Sequence, residues 1–203
     1  MLDATLRKWI DPPLDRAGAA LVRIGLHADA VTLIGLGFGL VAAILIAVGW
    51  FGLALLPLAL GRIADGMDGA VARASGGGTD FGGYLDITSD FAFYAAIPMA
   101  FILVNPATNG IAGAMLLAAF YINGASFLGF AVFAAKRSME TTAQGVKSLY
   151  YSNGLLEGTE TILFFVAFCL FPAQFPVLAI LFAGLCLVTT VLRLWAARQV
   201  FSN

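Results

Sequence analysis

The chemistry in this 203-residue chain concentrates in one segment, residues 65–90, DGMDGAVARASGGGTDFGGYLDITSD. Asp65 and Asp68 are three residues apart and share one helical face, which Gly69, Ala72 and Arg73 continue. Ser75 to Gly78 read as a flexible turn. A second helix opens near Asp80, a candidate N-cap, and Gly82, Asp86 and Asp90 follow at steps of four on one face. Two antiparallel helices thus present four carboxylates, Asp65, Asp68, Asp86 and Asp90, to one another. A carboxylate deep in a membrane helix costs roughly 2.5–3.5 kcal/mol on insertion scales, and facing carboxylates also repel. Arg62 and Arg73 are the nearby cations, and two cations cannot balance four anions in a low-dielectric site. Divalent ions can. All-oxygen ligands select hard ions, Mg²⁺, Mn²⁺ or Ca²⁺, over Zn²⁺. Four carboxylates suffice for two divalent ions with bridging ligands, an arrangement suited to phosphoryl chemistry. A solvated loop with aspartates as mere helix caps would not keep small and acidic residues in helical phase across both helices.

The elements that must position these acids are membrane helices. Apolar residues make up 61% of the chain and charged ones only 11%, against about 45–50% and 25% in soluble domains. A transmembrane helix takes about 20 apolar residues, so the chain holds six spans, near 30–50, 53–73, 82–104, 109–135, 154–171 and 174–198. The expected fold is an all-α membrane protein. Residues 1–28 form an N-terminal interfacial amphipathic helix and 29–203 a six-helix membrane domain. Within the first part, Leu14, Ala17, Leu21 and Ile24 form an apolar stripe after Pro12-Pro13. The charges scattered over the first 25 residues argue against a signal peptide.

All 11 basic residues fall before span 1, at the ends of spans 2 and 4, in the loop 136–152, or near the end of span 6. The positive-inside rule then puts both termini and the acidic segment on the cytoplasmic side. A net charge of −1 gives no basic surplus for nucleic acid. Cys169 and Cys186 lie in apolar runs, too few and wrongly spaced for a disulfide scaffold or a CxxC site. No G-x-S-x-G elbow and no P-loop is present.

Segment 65–90 fits D-x2-D-G-x2-A-R-x8-G-x3-D-x3-D at every fixed position. It resembles the signature of the CDP-alcohol phosphotransferase family, membrane enzymes of phospholipid head-group synthesis. The six-span plan with an N-terminal interfacial helix extends the likeness over nearly the whole chain. The resemblance implies that Asp65, Asp68 and Asp86 hold two divalent ions, Mg²⁺ or Mn²⁺, and that Asp90 is the general base and also touches the second metal. It implies a CDP subsite at Asp65, Gly69, Ala72, Arg73 and Gly82, the small residues allowing close approach. Many members have Pro-Asn shortly before a threonine at the start of span 1. Here the stretch is Ala28-Asp29-Ala30-Val31-Thr32, which makes Thr32 a nucleotide contact without its usual neighbours. The implied reaction transfers a phosphatidyl group from CDP-diacylglycerol to a small alcohol, with release of CMP. A homodimer in the bacterial inner (cytoplasmic) membrane is the implied assembly.

The acceptor is less closely defined. Lys136, Arg137, Lys147 and Arg193 suit a phosphorylated polyol, or serve only as topology and lipid signals. Glu157 and Glu160 open span 5 and need partners there, basic side chains or acceptor hydroxyls, which keeps serine and free inositol open. His27, the one histidine, reads as a headgroup or capping contact, and Gly35-x3-Gly39 as a helix-packing motif. A divalent-metal transporter is the alternative of a different class. It would place its acids near the bilayer midplane and show internal repeats. The topology is testable. A Gly77→Cys variant should label from the cytoplasmic side and a Phe51→Cys variant from the outer side, and the reverse pattern would refute the orientation.

Overall fold

Backbone in hydrocarbon must satisfy its own N–H and C=O groups, and helices do so within one segment. The computed structural model describes residues 2–137 and 158–202. The helices are α1 (Leu2–Arg23), α2 (Ala28–Ala47), α3 (Phe51–Ala74), α4 (Asp80–Val104), α5 (Pro106–Lys136), α6 (Gly158–Leu170) and α7 (Phe175–Phe201). A 3-10 turn, Pro172–Gln174, leads into α7. No strand occurs among the described residues, and the chain is a helical membrane protein.

Four segments are long and apolar enough to cross a membrane: α2, α4, α5, and the turn with α7. The second expected span, now α3, has the length, but it carries Arg62 at its middle and Asp65, Asp68 and Arg73 in its C-terminal half. The fifth, now α6, has 13 residues, and 154–157 lie outside the described residues.

Local chemistry sets the connections. After α2, Gly49 takes φ 83°, where a side chain would be strained, and its N–H donates to the Ile46 carbonyl at 2.8 Å. Asn105 caps α5, its side chain accepting from the Thr108 N–H at 3.2 Å, and Pro106 follows at the first helical position. The turn between α3 and α4 uses Gly76 and Gly77 at φ 99° and 126°. The cap of α4 is Thr79, which accepts from the Gly82 N–H at 2.9 Å, one residue earlier than the expected Asp80.

The larger core lies away from the acidic turn and is aromatic. Phe101 stacks on Phe175 with centroids 4.6 Å apart, and Phe168 meets Phe175 edge-on at 5.0 Å. Phe164 stacks on Phe182 at 4.2 Å. A smaller core of Val31, Ala64 and Val71 underlies the acidic end. Between the two cores α2 and α3 cross closely. A Cβ on Gly61 would lie 3.1 Å from the Gly35 carbonyl oxygen. One on Gly39 would lie 2.5 Å from Cδ2 of Phe93, so the expected Gly35–Gly39 spacing admits α3 at one glycine and a phenylalanine of α4 at the other.

Helix α1 runs unbroken through Pro12 and Pro13. Its C-terminal half packs on α3. A Cβ on Gly18 would lie 2.8 Å from the backbone carbonyl carbon of Ala70, and Leu21 and Val22 join the smaller core. Of the expected stripe, Ile24 is exposed instead, because the chain turns away through Gly25 at φ 82°. His27 occupies the N-cap position of α2, but its side chain makes no capping hydrogen bond. Gly18→Ala meets backbone, which cannot yield as a side-chain tip can. It is expected to destabilise by about 1–3 kcal/mol, the usual cost of overpacking. The check is the thermal midpoint in detergent, with the exposed Gly37→Ala as control.

Candidate metal centre

Helices α3 and α4 deliver the acids. Asp65, Asp68 and Asp86 each offer a carboxylate oxygen, and the three oxygens lie within 4.8 Å of one another. Asp68 is buried, and the other two are half-buried. Two like charges at that separation repel by about 3–4 kcal/mol at an effective dielectric near 20. Three such pairs need a compensating charge. Among the described residues, ion pairs reach Asp65 but neither Asp68 nor Asp86. The donor set is therefore what a hard divalent cation requires: three oxygens, all anionic, on two rigid helices.

Thr32 of α2 orients the buried member. Its hydroxyl donates to Oδ2 of Asp68 at 2.6 Å, with the Ala28 carbonyl a more distant acceptor at 3.2 Å. The close crossing at Gly35 and Gly61 brings α2 near enough for this bond. Thr32, expected beside the nucleotide, thus touches the acidic cluster directly.

Asp90 sits one turn beyond Asp86 and outside the three-oxygen group. Arg62 explains its position. The Nη2 of Arg62 lies 2.8 Å from Oδ1 of Asp65 and 3.3 Å from Oδ1 of Asp90. The same guanidinium lies 4.9 Å from the ring centroid of Phe93. Arg62 is three residues before Asp65, so helical spacing put it on the acidic face, but spacing alone did not reveal its bond to Asp90.

The remaining residues expected at the nucleotide surround the α3–α4 turn. Gly69 and Ala72 are half-buried, and a Cβ on Gly69 would lie 3.4 Å from Nη1 of Arg73. Arg73 is turned towards α1, donating from Nη2 to Oδ1 of Asp15 at 2.7 Å. A Cβ on Gly82 would lie 3.0 Å from Oδ1 of Asp29. Asp29 therefore stands against the first turn of α4, a placement that the sequence did not signal.

The basic residues expected at the acceptor separate. Arg193 of α7 is half-buried and donates from Nη1 to the Asn123 carbonyl at 3.0 Å, to Asn123 Oδ1 at 2.9 Å and to Ser126 Oγ at 2.7 Å. It lines a cavity of about 450 Å³ between α5 and α7, with Arg198, Ser126 and apolar neighbours. Arg137 instead donates to the Val200 and Phe201 carbonyls, each at 2.8 Å, tying the ends of α5 and α7. Lys136 is exposed at the end of α5. Lys147 and Glu157 lie outside the described residues. Glu160 is in the first turn of α6.

Comparison with known proteins gives a consistent family. Residues 25–195 match the family model described as CDP-alcohol phosphatidyltransferase. The chain is 46% identical over 196 residues to the inner membrane protein YnjF of Escherichia coli, covering 97% of this chain and 95% of that one. It is 38% identical over 85 residues to the archaetidylinositol phosphate synthase of Pyrococcus horikoshii, covering 42% of this chain and 45% of the relative. The fold is similar to the phosphatidylinositol phosphate synthase of Mycobacterium tuberculosis with CDP-DAG bound. That match has a TM-score of 0.72 at 22% identity, over 91% of this chain and 93% of that one. The same synthase in complex with manganese and citrate gives a TM-score of 0.69 at 22% identity, over 91% and 88% of the two chains.

The Thr32–Asp68 bond carries a testable consequence. Thr32→Val keeps the shape and removes the donor, so Mn²⁺ binding measured by calorimetry should weaken by roughly ten- to hundred-fold, as for other partners that orient a ligand. Unchanged affinity would mean that the hydroxyl does not hold Asp68 for metal.

Proposed function

The chain belongs to the CDP-alcohol phosphatidyltransferase family, and from that premise we propose that Asp65, Asp68 and Asp86 form the centre of its transfer reaction. The enzyme moves a phosphatidyl group from CDP-diacylglycerol to an alcohol and releases CMP. The acceptor oxygen forms a bond to phosphorus, the bond from that phosphorus to the CMP oxygen breaks, and the hydroxyl proton leaves to a carboxylate. The observation that carries the reading is the three-oxygen cluster on the matched family segment.

Two divalent ions, Mg²⁺ or Mn²⁺, when bound by Asp65, Asp68, Asp86 and Asp90, would neutralise the diphosphate and stabilise the CMP leaving group. Asp90 takes the acceptor proton. It is the member of the acidic series that lies outside the three-oxygen group, and it ends the series along α4. Gly69, Ala72 and Gly82 leave backbone open to the nucleotide, beside Asp65 and Thr32. Arg73 exchanges its exposed partner Asp15 for diphosphate oxygens.

The acceptor is a phosphorylated polyol of the inositol phosphate class. The cavity lined by Arg193 and Arg198 supports this, and so does the similarity to synthases of inositol phosphate lipids. Lys136 and Lys147 remain candidates for the acceptor phosphate by charge, Lys147 lying outside the described residues, whereas Arg137 serves the helix ends. In the membrane, α3 and α6 complete six spans, α1 lies at the interface, and both termini and the acidic turn face the cytoplasm. The enzyme works as a homodimer, and its place is a bacterial inner membrane, the location in the name of the 46% identical relative.

The test is CMP release by the purified enzyme with CDP-diacylglycerol, Mn²⁺ or Mg²⁺, and a panel of inositol phosphate, glycerol phosphate, free inositol and serine. Inositol phosphate should turn over fastest, and EDTA should abolish release. Asp90→Asn should bind CDP but turn over about 10²–10⁴-fold more slowly, the usual weight of a general base. No CMP release with any acceptor would refute the reading.

A further inference from the structure

We infer that Arg62 is a resident cation occupying the Asp65–Asp90 half of the acidic site, so that a second divalent ion binds there only once this guanidinium has moved aside. The inference rests on the metal-dependent reading above and adds a control on how the site loads.

Three observations carry it. The first is the bridging geometry: one nitrogen, Nη2, serves both carboxylates, at 2.8 Å from Asp65 and 3.3 Å from Asp90. A guanidinium stays protonated throughout the range in which proteins fold, so this charge cannot be titrated away. The second is space. The cavity lined by Arg62, Asp65 and Asp90 has a volume of about 10 Å³, on the scale of a single water. A divalent ion with its water shell does not fit there while Arg62 keeps its place. The third is how the side chain is held. Arg62 is 20% exposed, and its guanidinium lies 4.9 Å from the Phe93 centroid, a ring that fills the space opposite Gly39. Arg62 is therefore seated, not dangling.

The two halves of the site consequently differ. Asp68 and Asp86 have no ion pair among the described residues, and with Asp65 they offer three oxygens to a first ion. A second ion needs Asp90, and must displace the longer and weaker of the two Arg62 contacts to reach it. Loading is sequential: the first ion meets two carboxylates without ion pairs and shares Asp65 with Arg62, and the second meets the guanidinium itself. The anionic diphosphate of the donor is the species that would offset that charge.

The experiment counts Mn²⁺ on the full-length protein in nanodiscs without nucleotide. Electron paramagnetic resonance follows free ion and spin-coupled pairs. The wild type should take one ion tightly and a second far more weakly. Arg62→Met keeps the stem against Phe93 and removes the charge. It should tighten the second ion by at least about ten-fold, the effect of one unit charge on a divalent ion several ångströms away at the dielectric of water and so a lower bound for this half-buried site. Arg62→Lys keeps a charge and should leave the second ion weak. Asp90→Asn combined with Arg62→Met should abolish the gain, which a purely structural ion pair would not predict. Equal second-ion affinity in wild type and Arg62→Met overturns the inference. If Arg62→Met does not fold, the wild type alone decides, because two equal ions with a spin-coupled signal overturn the inference and one tight ion upholds it. Failure of the underlying reading looks different: the wild type then binds no Mn²⁺, and Asp68→Asn changes nothing.

Discussion

Three carboxylate oxygens within 4.8 Å of one another, inside a protein that is 61% apolar, are the constraint on which the rest of this fold depends. Their repulsion works against the convergence of α3 and α4, both of which pack on α2. It must be resisted by contacts elsewhere, and the structure puts those contacts at a distance. Among the described residues the smaller core under the acids has only Val31, Ala64 and Val71 buried. The stacked and edge-on phenylalanines of α4, α6 and α7 lie beyond it, with Phe101, Phe165, Phe168, Phe175 and Phe182 fully buried. Aromatic burial of this kind is among the largest single contributions a side chain makes. The far core holds the helices in register, and the near end is left free for small residues and acids.

Backbone approach is the second requirement. Thr32 reaches Asp68 because α2 and α3 touch at Gly35 and Gly61 without intervening side chains. Phe93 enters opposite Gly39 and supports Arg62 from below. Replacing either contact by a bulkier one would move the orienting threonine or the supporting ring before it moved any acid. Glycines beside the carboxylates thus govern how those carboxylates are presented.

The helical phase of the acids was legible in the sequence because it is a local property, set by intervals of three and four residues. The class of fold was legible from composition and from the confinement of charges to a few segments. What was not legible depends on pairs distant along the chain. Thr32 and Asp68 are 36 residues apart, Arg62 and Asp90 are 28 apart, and Arg73 and Asp15 are 58 apart. Spacing states which residues share a face of one helix, but not which neighbouring helix meets that face. For the same reason α1 was legible as amphipathic, while the burial of Gly18 against Ala70 was not. The cap of α4 shows the limit at short range: Thr79 and Asp80 are both good caps, and it is Thr79 that has the extended backbone and accepts from the Gly82 N–H.

The two arginines of the segment show how burial separates roles that sequence treats alike. Arg73 and Asp15 are 49% and 53% exposed, and a pair so placed contributes about 0–1 kcal/mol at most. Such a contact breaks without a large penalty, and breaking it detaches α1 from the turn only locally, because Gly18 still packs on α3. Arg62 is 20% exposed, bridges two carboxylates and lies against a ring. Removing its charge would leave two half-buried anions facing each other, the costly outcome for an ion pair out of water. Arg73 is therefore suited to exchange partners during turnover, and Arg62 to stay until another cation replaces it.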